Sequence, residues 1–289
     1  MKKLSIPTLS AISGATAIVS LALRIISLFF FYDKIGYYQP NAILPKIANI
    51  LLAIAIIFLL SVSLLSIDKK QSVEPTSKRS QYAALLPMGA SLFHLFSIFT
   101  GVFNDTVINK YLMAASVIFT AIFFFLIAFA REKYNILTFY VGIGALLYVA
   151  FCWMRAYFEF FIPINSTDKT FFYLACAGAI IFIFNEMCAC YGFVRTKFYY
   201  FSLFTSIITL SVASISAIVG YAFGIFEAYI TLETDVFFIA LLIYAIARLT
   251  DAQKSSVKID KTIIETAEKA TVEETDSTEA EENLADDSE

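Results

Sequence analysis

Six polar side chains, Arg24, His94, Arg155, Glu159, Asn185 and Glu186, stand inside or at the borders of long apolar stretches. In hydrocarbon an ionisable group costs roughly 2.5–3.5 kcal/mol on insertion scales, so each of these needs a partner or a use. A guanidinium offers two parallel N–H donors that match a carboxylate or a phosphate. A carboxyl at that depth is paired or held neutral, and either state suits proton relay or cation coupling. Glu186, beside Asn185, is therefore either a coupling carboxyl or a structural hydrogen-bond acceptor toward a neighbouring helix, with Asn185 as a second polar link. Arg24 lies deep in its stretch and has no charged partner within it. Arg155 lies near a stretch end, and Glu159 follows four residues later, so the two share a helical face and can pair. The two arginines suit either anchoring at the membrane border or an outward-facing cavity for a small anionic ligand or a lipid headgroup.

His94 is the only histidine, with Ser91 and Ser97 three residues to either side on the same helical face. An interhelical hydrogen bond is its ordinary role, and titration the sharper one. The four cysteines all fall within apolar stretches. Cys188 and Cys190 point to different sides of a helix, which is poor geometry for one metal. No GxxxxGK[ST], GxGxxG or HExxH motif is present. The composition thus points away from soluble enzymes, and no cofactor, metal or nucleic-acid partner is expected.

Positioning these groups falls to eight apolar segments, near residues 6–32, 47–67, 82–103, 111–130, 135–157, 170–192, 199–224 and 229–249. A helix needs about 20 apolar residues to cross a hydrocarbon core of about 30 Å. The last segment is the weakest, because Glu233 and Asp235 stand at its start. Apolar residues make up 59% of the chain, well above soluble usage. The fold class is all-α: a polytopic membrane bundle of eight transmembrane helices over residues 1–249.

Basic residues then set the orientation. Eleven Lys and Arg (Lys2, Lys3, Lys69, Lys70, Lys78, Arg79, Arg131, Lys133, Arg195, Lys197 and Arg248) fall on one side of the segments. Only Lys34, Lys46, Lys110 and Lys169 fall on the other. Short loops rich in Lys and Arg stay cytoplasmic, so both termini are expected inside. The first apolar run is longer than a signal-peptide core, which favours an uncleaved first helix.

The two halves suggest parallel four-helix repeats. Arg24 and Arg155 each precede an aromatic run, and in both following loops a Lys stands six residues after a Pro (Pro40 to Lys46, Pro163 to Lys169). Aromatics, Pro and Lys also favour membrane borders without any duplication. Ser216, Gly220 and Gly224 form a small-residue stripe suited to close helix approach. Residues 250–289 hold 13 acids against four lysines and no aromatic residue. Such a segment is expected to be a disordered acidic cytoplasmic tail, a spacer or a docking site for a cytoplasmic protein.

The passage from Arg155-Ala156-Tyr157-Phe158 through Pro163-Ile164-Asn165-Ser166 to Phe184-Asn185-Glu186 resembles a pattern in uncharacterised multi-pass membrane proteins of clostridia-like bacteria. That resemblance implies a multi-pass protein of a bacterial plasma membrane, and no particular activity. Two functions stay open. One is a transporter or permease-like bundle that binds a small molecule or ion. The other is a non-catalytic membrane sensor or assembly partner acting through the acidic tail. The oligomeric state is left open.

Overall fold

The computed structural model describes residues 5–33, 37–67, 77–100, 107–129, 136–159, 166–225 and 232–253. The helices are α1 (Ile6–Phe31), α2 (Ile43–Ser66), α3 (Lys78–Phe99), α4 (Val107–Phe129), α5 (Ile136–Phe158), α6 (Thr167–Tyr191), α7 (Thr196–Ala222) and α8 (232–253). Among the described residues the only β-pairing is one bridge, Tyr32 with Tyr38. Seven helices, α1 to α7, are long and apolar enough to cross a membrane. The acidic tail beyond residue 253 and the loop bases Lys2, Lys3, Lys34, Lys69, Lys70, Arg131 and Lys133 lie outside the described residues.

Several helices begin earlier than their apolar runs. Ser5, Ser77 and Ser166 are N-caps whose hydroxyls accept from Thr8, Ser80 and Lys169 backbone N–H groups. Capping satisfies donors that the first turn leaves over, so a polar turn can be helical without being hydrophobic. That is why α3 starts at Lys78 and α6 at Thr167. Helix α7 carries one π turn, Ser211–Ile215, in its middle.

Contacts between helix ends fix their directions. Ser77 N and Ser80 Oγ donate to Asp251, joining the start of α3 to the end of α8. Lys197 donates to the Leu64 carbonyl, joining the start of α7 to the end of α2. Lys78, Arg79, Arg195 and Lys197 all lie at these ends, which together form the basic end of the bundle. At the opposite end, Ser97 of α3 meets Glu233 of α8, and Lys169 of α6 donates to the Glu159 carbonyl just beyond α5.

Helices α1 and α7 run in the same direction. Ser13 Oγ donates to the Phe204 carbonyl at 3.3 Å, and Phe29 meets Phe223 at a ring separation of 5.2 Å. The contact face of α1 is Ser10, Ser13, Ala17, Ser20, Arg24 and Ser27, all buried at alternating steps of three and four. Small and hydroxyl side chains let two backbones approach closely in a bilayer, where apolar surface gives no preference for protein over lipid. At the end of this helix pair, Gly224 adopts φ +66°, so it turns the chain after α7 and does not extend the Ser216–Gly220 stripe.

Helix α8 packs against α4, α5 and α6 through its aromatic residues. Phe237 packs on Phe124 and Tyr148, Phe238 on Phe172, and Tyr244 on Phe124 and Phe182. By contrast, only 17% of the apolar window of α2 is buried, against 83% for α7. The outer helices present Ile, Leu and Phe outward, as a lipid-facing wall requires.

Candidate functional site

Buried polar groups gather in three places. The first, near the basic end, is centred on Glu186, which is 1% exposed. Arg248 Nε donates to its Oε1 at 3.0 Å, and Tyr244 Oη donates to its Oε2 at 2.8 Å. Tyr199 Oη donates to Oε1 as well. The Arg248 guanidinium also sits over the Tyr199 ring, 5.6 Å from its centroid. One carboxylate thus ties α6, α7 and α8 together, with a charge-assisted bond and two hydroxyl donors. Arg248 is 3% exposed, so it is a buried partner and not a free loop base at the membrane surface.

The second place is the α3–α5–α8 seam toward the opposite end. His94 Nδ1 and Tyr148 Oη are 2.8 Å apart. Ser97 Oγ donates to Glu233 Oε1 at 2.6 Å, and Thr234 Oγ1 donates to Cys152 Sγ at 3.8 Å. Arg155 and Glu233 are both near enough to act on His94 electrostatically. Ser91, by contrast, is spent on its own helix, donating to the Pro87 carbonyl. Glu233 and Asp235, which weaken the eighth segment in the sequence, face other helices here. Asp235 is 4% exposed.

The third place is built around Arg24, 2% exposed, where α1 approaches the start of α6. Its Nη1 donates to Tyr38 Oη. Its guanidinium lies 4.1 Å from the Phe171 ring centroid and 5.3 Å from that of Tyr38. Asp168 Oδ1 is 3.9 Å from Nη2, close enough for charge attraction and too far for a hydrogen bond. Nε and Nη2 are buried and have no hydrogen-bond partner among the described residues.

The loop after α1 completes this site. Gln39 N donates to the Phe31 carbonyl and Asp33 N to the Tyr37 carbonyl, which folds Tyr38 back over Arg24. Burial pushes the phenols of Tyr32 and Tyr38 above their usual range, so both are neutral hydroxyls near pH 7. The π turn of α7, Ser211–Ile215, packs against α1. Such turns occur often at functional sites.

The residues singled out from sequence do not share one cavity. Asp168, beside Arg24, and Glu186 lie 18 positions apart on α6, or ~27 Å along its axis at about 1.5 Å per residue. Arg155 belongs with His94, and the Glu159 carbonyl serves Lys169. Asn185 Nδ2 donates to the Ile181 carbonyl of its own helix, so it makes no link beside Glu186. Missing from the sequence reading were Tyr38, Asp168 and Phe171 around Arg24, and Tyr199, Tyr244 and Arg248 around Glu186. No family model, curated protein or solved structure matches the chain.

Proposed function

We propose that the chain is an eight-span permease-like bundle of a bacterial plasma membrane that binds a small anionic ligand at Arg24. In this reading α8 is the eighth span, the basic end faces the cytoplasm with both termini, and Arg24 lies in the outer half. The Lys and Arg bias supports that orientation. A parallel duplication has one support, the matched placement of Arg24 and Arg155 toward the ends of α1 and α5.

One observation carries the ligand: Arg24 keeps two donors, Nε and Nη2, buried and unpartnered. A buried donor left without an acceptor costs about 1–3 kcal/mol, and more when charged. A bound carboxylate or phosphate removes that cost. Glu186 is the weaker candidate for ligand or coupling chemistry, because Arg248 and two tyrosines already occupy its oxygens.

The test is ligand-dependent thermal stabilisation of the full-length protein in lipid nanodiscs. Acetate, inorganic phosphate, glycine and glycerophosphoethanolamine, each carrying an anionic group, serve as probes, on the native protein and on Arg24→Gln. At least one probe is expected to raise the melting temperature of the native protein and to leave Arg24→Gln unmoved. Equal shifts in both proteins, or none in the native one, overturn the reading.

A further inference from the structure

Resting on the anion-binding reading above, we infer that the group held at Arg24 is a zwitterion, with a primary ammonium beside its carboxylate or phosphate. Free amino acids and the phosphoethanolamine headgroup share that chemistry. The two unpartnered nitrogens are the starting point. Nε and Nη2 form the side-on edge of the guanidinium, where two N–H bonds point in parallel and match two oxygens of one anion. Nη1 is already given to Tyr38, and Phe171 covers one face of the plane. With its oxygen accepting from Arg24, the Tyr38 hydroxyl keeps its own proton to donate to the same ligand.

Charge then selects among anions. Asp168 Oδ1 stands 3.9 Å from Nη2, beside that edge. Arg24 and Asp168 together carry no net charge, so a plain anion on the edge meets a carboxylate at short range. Like charges at about 4–6 Å disfavour each other strongly when water is scarce. The neighbouring cation does not relieve this, because Lys169 is turned to the Glu159 carbonyl. Tyr32 and Tyr38 are neutral and add only dipoles. An ammonium on the ligand does relieve it. Asp168 accepts no hydrogen bond among the described residues, so its carboxylate has acceptor capacity left for an ammonium.

The experiment uses the full-length protein in phosphatidylglycerol nanodiscs. Binding of each proteinogenic L-amino acid is compared with its des-amino acid, and glycerophosphoethanolamine with glycerol phosphate, by calorimetry and thermal shift. At least one zwitterion is expected to bind about tenfold or more tightly than its des-amino partner. Asp168→Asn should erase that preference, Asp168→Glu should keep it, and Arg24→Gln should lose both ligands. A response to amino acids assigns a free solute, and a response confined to glycerophosphoethanolamine assigns a lipid headgroup. Equal binding of zwitterions and des-amino anions sinks the inference while the anion reading stands. Binding by neither class sinks both. Should Asp168→Asn fail to fold, the native panel and Asp168→Glu decide alone.

Discussion

Glu186 and Arg248 are a buried pair whose worth depends on both being present. Removing one partner of such a pair costs about 3–5 kcal/mol, because the other is left charged and unpaired. Glu186→Gln and Arg248→Met are each expected to lower the melting temperature sharply, and the double substitution Glu186→Leu with Arg248→Met to recover most of it. A proton-coupling carboxylate predicts otherwise: Glu186→Gln would keep the native melting curve. Tyr38 gives a pH test. Its folded-state pKa is raised by burial above an unfolded value of about 10, so its contribution is intact below that pH and falls away as pH rises toward the folded value. Melting temperatures measured between about pH 9 and pH 11 should therefore fall more steeply for the native protein than for Tyr38→Phe. The charged residues inside apolar runs were legible from sequence, since composition alone marks Arg24 and Glu186 as anomalies. Their partners were not. Asp168 reads as a loop acid and Arg248 as a loop base until the helices are placed side by side.

Helix contacts show a similar division. The apolar runs locate the helices, but hydropathy trims their polar first turns, which Ser77 and Ser166 hold through capping bonds. The serine face of α1 was hidden for the opposite reason: Ser13, Ser20 and Ser27 count as polar, though each is buried against other helices. Close packing between α6 and α7 yields a sharp prediction at Gly178. A Cβ there would stand 2.1 Å from Thr209 Oγ1, a stiff β-branched side chain, and Ser206 Oγ already donates to the Gly178 carbonyl. Gly178→Ala is expected to destabilise by about 1–3 kcal/mol through overpacking, and Thr209→Ala in the same chain to restore part of it. Gly14 in α1 has open space around its Cβ position, so Gly14→Ala should leave the melting temperature unchanged or raise it slightly.

Across the whole molecule, the helix whose charges made it doubtful as a span packs most of its surface against its neighbours. Lipid contact demands apolar side chains, as at the exposed Ile243 and Ile246, whereas the packed faces of the same helix can carry Asp235, Arg248 and Asp251, provided each meets a partner. The acids that made the eighth segment doubtful in the sequence are therefore the reason it belongs inside. Asp251 is instructive, because by composition it opens the acidic tail, yet its carboxylate accepts from Ser77 N and Ser80 Oγ at the first turn of α3. A negative charge there also favours the positive end of that helix. The bundle thus needs the chain at least through this residue. Truncation after Gln253 is expected to leave a monodisperse protein with a near-native melting curve in detergent. Truncation after Leu249 removes Asp251 and exposes the α3 cap, and it should broaden and lower the transition. If both truncations behave alike, the Asp251 contact does not hold the two helix ends together, and the tail's own contribution to the fold has to be reconsidered.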